Sequence, residues 1–359
     1  LSDYNKSYGL YQFKYVKVIS TSSIETTNNS SGESTMVLYV NDGKKLTESL
    51  RIDETGINCE NIIAQDINCE NIIVNNYLKN WLIVGDPILS ENASDQNGRS
   101  VSLSANGTII AIGAPYNNLG VGGTLSGRVR IYEYNGLVWL KLGQDIDGEA
   151  VNDESGSSVS LSDDGKIVAI SAPYNSLGAG GTLSGRVRIY EWNGTTSTWV
   201  KLGQDIDGDT TNDRSGWSVS LSADGTIIAI GAPWYVDGTK VGRVRIYEYN
   251  GTTSTWDKIG QDIDSDINDK SGTSVFLSAD GTIVAIGAPY SNSGGVRIYE
   301  LDGLAWSPLG GYIEGEAAND ESGFSVSLSD NGKIVAIGAI RNNDNGSDSG
   351  HVRIYELDG

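Results

Sequence analysis

Histidine and methionine each occur once in these 359 residues, cysteine twice and phenylalanine three times. A single His, His351, leaves general acid–base chemistry without its commonest side chain, and no nucleophile motif stands near it in sequence. Cys59 and Cys69 are too few for a disulfide framework, and each lies within a copy of Ile-Asn-Cys-Glu-Asn-Ile-Ile, so a repeat explains their placing. No apolar run reaches the roughly 18 residues that a bilayer span requires, so no membrane insertion is expected. Cations are scarce as well: 25 Lys and Arg stand against 46 Asp and Glu, a formal net charge of -21. Such a chain is repelled by phosphate backbones, which argues against nucleic acid as a partner.

What is abundant is glycine, 46 residues, with 18 Tyr and 8 Trp, a balance that favours turns and aromatic-bearing strands and predicts an all-β protein. From Trp81 onward one pattern recurs five times, with a period of roughly 50 to 60 residues. Its lead phrase is Gly-Arg-Ser-Val-Ser-Leu-Ser at Gly98, with counterparts at Gly156, Gly216, Gly272 and Gly323. Asn-Gly or Asp-Gly follows (Asn106-Gly107, Asp164-Gly165, Asp224-Gly225, Asp280-Gly281, Asn331-Gly332), predicting a two-residue type I′ hairpin between the first two strands. The second strand is an apolar run such as Ile109 to Ala114, suited to burial on both faces, and Pro115 ends its pairing. Val-Arg-Ile-Tyr-Glu, Val129 to Glu133 in the first copy, alternates with period two as a third strand. A Trp-containing segment beginning at Trp139 makes a fourth, with equivalents at Trp199, Trp256 and Trp306.

Four-stranded units repeated radially make a β-propeller. The fifth copy stops after its third strand at Gly359, whereas Trp81 to Ile88 reads as a fourth-type strand with no partners before it. If that strand completes the last unit, 81–359 closes as a five-bladed propeller; the rival is that further blades follow.

The phrase Gly-x-Ser-Val-x-Leu-Ser-x-Asp-Gly-x-x-x-Ala-Ile-Gly-Ala-Pro, followed by Gly-x-Val-Arg-Ile-Tyr, resembles the FG-GAP-like repeats of extracellular propellers, and most closely the variant in bacterial surface proteins and structural proteins of large DNA viruses. Only the fifth copy has Phe after its glycine (Gly323-Phe324), and there Ala-Pro becomes Ala339-Ile340. The resemblance implies a calcium loop between the first two strands, but the short turn leaves no room for six or more oxygen ligands, so no cofactor is expected. Acidic residues that recur elsewhere, Asp145, Asp147, Glu149 and Asp153 and then Asp205, Asp207, Asp209 and Asp213, admit calcium, but Asp95, Asp153, Asp213, Asp269 and Asp320 each lie three residues before the lead Gly, where turn-making suits them better. Identical carboxylates in every copy argue against the unlike pair that a glycosidase requires. The recurring Arg130, Arg188, Arg245, Arg297 and Arg353 are expected to pair with carboxylates or cover Tyr rings.

Site candidates come from the loops joining strands two and three, 115–127, 173–185, 233–242, 289–295 and 340–350, which strand order gathers on one face. These supply Tyr116, Tyr174, Trp234, Tyr235, Tyr290 and Arg341, with Asn117 and Asn175 beside them. Rings that stack on sugar faces and amides that bond hydroxyls make this a glycan-recognition candidate; aromatics that merely shield the propeller end are the plainer explanation.

Residues 1–49 are expected to form a β-rich base with strands at Tyr11 to Ile19 and Thr35 to Val40 and a polar Ser/Thr/Asn loop between. The heptapeptide repeats of 50–80 cannot bury their Ile residues alone, so a short trimeric stalk resembling those of viral fibres is expected. The function this predicts is a non-enzymatic virion or cell-surface attachment protein: a homotrimer through 50–80, held at its N-terminus by a capsid or surface base and binding a host glycan or protein receptor. A capsid or surface decoration without a ligand is the alternative, and a glycosidase a weaker one.

Overall fold

Alternating β-branched and polar residues pair as strands throughout the computed structural model, which describes residues 22–28, 34–41, 46–53, 56–58, 83–238, 240–265 and 268–358. Among the described residues there is no helix. The chain divides into two units, Leu1–Trp81 and Leu82–Gly359.

In the first unit the strands Ser22–Asn28, Ser34–Asn41, Leu46–Asp53 and Gly56–Asn58 form one antiparallel sheet in chain order. Thr35 to Val40 is therefore a strand, but the polar stretch before it is not the expected loop. Ile24 and Thr26 pair with Leu38 and Met36, because β-branched residues make even a Ser/Thr-rich segment a competent strand. The expected base–stalk division at 49/50 falls inside the strand Leu46–Asp53. Tyr11 to Ile19, Cys59, Cys69 and most of the proposed stalk lie outside the described residues.

In the second unit each repeat forms its own antiparallel sheet in chain order. The second repeat is representative: Val159–Leu161, Ile167–Ala172, Arg186–Asn193 and Thr198–Lys201, after which the two-residue strand Ile206–Asp207 pairs back on the start of the third strand. The fifth repeat has three strands, Ser322–Leu328, Ile334–Ala339 and His351–Glu356. The second strands of the first four repeats are largely buried as expected, Ala111 to Ala114 included, whereas that of the fifth alternates and leaves Ile334 exposed.

The turn between the first two strands differs from expectation. Gly107 N–H donates to Ser104 O, so Ala105 and Asn106 are the central residues of a type I turn, and only Gly107 takes a positive φ, +72°. The Asn106 side chain accepts from Thr108 N–H and the Ser104 hydroxyl, which fixes the turn without a second left-handed residue. The loop at 233–242 is also not a loop. Strands Ile227–Asp237 and Lys240–Asn250 run on through it as a bulged hairpin, as the β-forming run Trp234-Tyr235-Val236 favours.

The core lies between sheets. Val187 and Ile189 on the third strand of one repeat pack on Val219, Leu221, Ile228, Ile230 and Trp256 of the next, and the same residue types recur at the other junctions. Each such side chain contributes about 1.5–3 kcal/mol by leaving water. The Trp is a lock. Trp256 Nε1–H donates to Leu202 O at 2.8 Å, and its ring fills the space beside Gly203, where any side chain would collide with it. Trp139, Trp199 and Trp306 fill the same seats at Gly85, Gly143 and Gly260.

The outer faces of the array have no such partner. Val101 and Leu103 on the first repeat are 60% and 55% exposed, and Val352 and Ile354 on the fifth are 68% and 71%, whereas Val159, Leu161, Val187 and Ile189 are buried. Among the described residues nothing lies within 4 Å of the equivalent position at Gly310. The strand expected over Trp81 to Ile88 is not formed: residues 83–90 pair with no sheet, and Trp81 and Leu82 lie outside the described residues. Instead Trp139 Nε1–H reaches Val84 O, and Arg130 and Arg128 reach Leu89 O and Glu91, the contacts that Trp199, Arg188 and Arg186 make with Leu142, Asp147 and Glu149.

A candidate ligand-binding face

The connection into each repeat carries a buried Asp (Asp95, Asp153, Asp213, Asp269, Asp320). The Asp153 carboxylate accepts from Glu149 N–H, Ala150 N–H and the Asn175 amide at 2.9–3.2 Å. Burial still pushes its pKa up, against these hydrogen bonds. Asp95, Asp153 and Asp320 hold the preceding turn and, through Asn117, Asn175 and Asn342, the neighbouring loop, whereas Asp269 accepts from Ser271 N–H and the Ser265 hydroxyl.

That arrangement removes Asn117 and Asn175 from any exposed site. They are 1% and 0% exposed; their amides donate to Asp95 and Asp153, and their side-chain oxygens accept from Leu119 and Leu177 N–H. Asn342 does the same with Asp320 and Asp344 N–H in the fifth repeat. A buried amide that donates to the Asp and accepts from the backbone fixes the loop, and its burial keeps it from a ligand's hydroxyl.

After each Asp comes a residue held in the left-handed region: Gln96, Glu154, Arg214, Lys270 and Glu321, with φ of 52° to 54°. Such backbone costs about 1–3 kcal/mol for a non-glycine residue. In the central repeats these residues alternate with the loop aromatics. The Arg214 guanidinium lies 4.8 Å from the Tyr174 ring centroid and 4.6 Å from that of Trp234. Lys270 Nζ lies 5.2 Å from Trp234 and 4.2 Å from Tyr290. Trp217, just past Gly216, meets Trp234 edge-on at 4.3 Å and Tyr174 at 6.5 Å. Tyr174, Arg214, Trp234, Lys270 and Tyr290 thus form one continuous row, braced by Trp217.

The remaining candidates have other surroundings. Tyr235 covers Arg243, whose guanidinium is 3.5 Å from its ring centroid. Arg341 pairs with Glu321 at 3.1 Å. Tyr116 is half-buried at the first repeat. Burial and Glu321 raise the Tyr290 pKa, with Arg341 opposing. Arg214, Lys270 and Trp217 were not among the sequence candidates. Aligning the positions after each recurring Asp and each lead Gly would have shown the two cations where other repeats place Gln or Glu, and Trp217 where they place Arg, Ser, Thr or Phe.

The other acidic residues are engaged by arginine. Arg186 meets Glu149, Asp205 and Asp207 at 2.6–3.1 Å, and although burial opposes its charge, these partners outweigh that and raise its pKa. Arg130, Arg188 and Arg353 combine a carboxylate contact with a Tyr ring, uniting the two roles expected for them. Glu316, Asp344 and His351 also converge within 4.8 Å, but Arg353 already pairs with Glu316 at 3.2 Å. His351 stands where earlier repeats have Arg128, Arg186 and Arg243, with its Nδ1 3.6 Å from Glu316.

The FG-GAP repeat family model matches residues 314–355. No curated protein matches the chain. Among solved structures the chain is similar to the periplasmic gluconolactonase of Pseudomonas aeruginosa, with 14% identity, 90% of this chain and 84% of that one covered and a TM-score of 0.49. It is similar also to TolB from Acinetobacter baumannii, with 17% identity, 91% and 58% covered and a TM-score of 0.41. Hydrazine synthase of Kuenenia stuttgartiensis gives 14% identity, 72% and 64% covered and a TM-score of 0.46. At these scores the likeness does not extend to activity. The matched residues fall largely in the fifth repeat, and the other four carry the same order of antiparallel strands.

Proposed function

We propose that this protein is a non-enzymatic attachment protein of a virion or cell surface, whose repeat unit is a head that binds a glycan. The observation that carries this reading is the row of rings and cations from Tyr174 to Tyr290. Aromatic rings offer flat apolar area to a sugar, and Tyr174 stands on a loop that Asp153 holds through Asn175. The N-terminal unit is the anchor to a capsid or surface base, with a homotrimer through 50–80. A decoration role without a ligand is the second reading, because some exposed aromatics are ordinary on any surface.

The head in this reading is a closed five-bladed ring in which residues 81–91 complete the fifth blade. Three things support closure. Trp81-Leu-Ile-Val-Gly85 repeats the pattern Trp139-Leu-Lys-Leu-Gly143, and among the described residues none occupies the Trp seat at Gly310. The Gly113, Gly231 and Gly287 positions are packed by Gly156, Gly272 and Gly323 carbonyls, whereas among the described residues Gly338 has no such carbonyl against it and Gly98 has no neighbour within 4 Å. Partners also change together. Arg128 meets Asp145 and Asp147 of its own repeat; in the fourth repeat Gly295 takes the Arg place and Tyr312 fills the space it leaves. In a closed ring the fifth repeat would set His351 beside Pro87 and Leu89, losing the arginine and both carboxylates at once.

The test is attachment of the full chain to a glycan array and to host cells. Trp234→Ala with Tyr174→Ala is expected to abolish both while leaving the melting temperature near its starting value, and unchanged attachment would remove this face from the function.

A further inference from the structure

Among the described residues neither Arg214 nor Lys270 has a carboxylate within ion-pair distance, in a chain whose strand arginines are paired in every repeat. The Arg214 Nε is buried and has no hydrogen-bond partner. Both cations lie in the middle of the row, on a protein of formal charge -21. Nothing about packing calls for them, because the same left-handed position is filled by Gln96 and Glu154 in the first two repeats and by Glu321 in the fifth. Glu321 is already neutralised by Arg341. Glu154 feels Arg214, but burial raises its pKa, the arginines Arg99 and Arg214 opposing. The centre of the face is therefore locally cationic while its surroundings repel anions.

We infer that the ligand of this face is an anionic saccharide, a sugar carrying a carboxylate or a sulfate ester, with its ring on Trp234 and its acid group between Arg214 and Lys270. This rests on the glycan reading above and deepens it. A guanidinium flanked by two rings is pre-oriented, so that little rotamer entropy is lost when its free N–H groups take an oxyanion. The rings account for sugar over peptide, since stacking on Tyr174, Trp234 and Tyr290 uses flat apolar faces that an acidic peptide lacks. Long-range repulsion by the acidic surface keeps the attraction short in reach, so that the site selects a ligand whose charge is placed beside a stacking face.

The experiment is calorimetric titration of the full chain with four probes: a galacturonate oligomer, a heparin-derived oligosaccharide, a neutral maltose oligomer and a poly-glutamate peptide. Binding is expected for at least one acidic saccharide, weakening about tenfold or more in about 0.5 M salt as screening shortens the reach of the charges. The Arg214→Gln, Lys270→Gln double variant is expected to lose that binding by about tenfold or more, a difference of about 1.4 kcal/mol at least. Arg214→Lys is expected to keep part of it, which separates charge from folding. Neutral oligomer bound equally well by the wild type and the double variant overturns the anionic assignment and leaves the glycan reading standing. Poly-glutamate bound as tightly as the saccharides overturns the sugar. Absence of binding to every saccharide overturns both readings.

Discussion

The second repeat and the fifth have nearly the same sequence on their third strands, Val187-Arg-Ile-Tyr190 and Val352-Arg-Ile-Tyr355, yet Val187 is fully buried and Val352 is 68% exposed. The difference lies in the neighbour. A strand of this kind offers apolar side chains to the next sheet, and where that sheet is present they leave water. Repeat proteins owe much of their stability to such nearest-neighbour interfaces, so an unmatched end face is the place where this array is incomplete. Closure in the proposed ring would make the two strands equivalent.

The largest effect is expected from charging both positions. Val187→Asp and Val352→Asp should each destabilise the head by upward of about 4 kcal/mol in urea unfolding if the ring closes, because an unpaired carboxylate enters a core in both cases. A near-neutral Val352→Asp would show that the fifth face stays in water. Next comes the lock: Trp81→Ala should cost as much as Trp199→Ala, about 3–5 kcal/mol, measured by the same method. A harmless Trp81→Ala would leave the Gly310 seat without its occupant.

Smaller changes sharpen the contrast between central and outer repeats. Asn175→Ala removes a satisfied buried amide and strands part of Asp153, for an expected loss of about 1–3 kcal/mol by thermal unfolding, without altering saccharide binding beyond what loop loosening brings. The smallest effect concerns acid. Asp164, Asp224 and Asp280 occupy the turns of the three central repeats, where Asn106 and Asn331 stand in the outer two. Burial would raise these three carboxyls, but hydrogen bonds from Ser162, Ser222 and Ser278 and from the backbone N–H groups of Lys166, Thr226 and Thr282 outweigh it and hold their pKa below 3.8. A folded pKa below the unfolded one gives stabilisation that is present above the unfolded value and is lost as pH falls through the folded value. Hydrogen exchange at Gly165, Gly225 and Gly281 should therefore accelerate, relative to Gly107 and Gly332, as pH drops below the ordinary carboxylate range. Equal behaviour in all five turns would show that the Asp side chains add nothing that Asn does not.

Much of the fold was legible because its signals are local. Period-two alternation marked Val129 to Glu133 as a strand, and the buried run from Ile109 marked the next one in. The turn type was misread because Asn106-Gly107 is compatible with two loop lengths, and the choice rests on hydrogen bonds from Thr108 and Ser104 that residue identity alone does not rank. The loop at 233–242 was misread because loop length was taken as irregularity, whereas Trp234 to Val236 extends a hairpin. Of the site, the aromatics Tyr174, Trp234 and Tyr290 were visible as a pattern after each proline. Asn175 was visible too, but its burial was not, since an Asn beside a loop aromatic looks the same in sequence whether it faces solvent or caps an Asp.

Sequence alone determined the number of repeats, the order of strands within each and the residues that turn the chain, since alternation, glycine and Asn/Asp act over a few neighbouring residues. Only the tertiary structure decided that Arg214 lies between Tyr174 and Trp234, and Lys270 between Trp234 and Tyr290. Two of those contacts, Arg214 with Tyr174 and Lys270 with Trp234, join different repeats, and their geometry depends on how one sheet packs against the next, a property of the assembled interface that no single stretch of chain encodes.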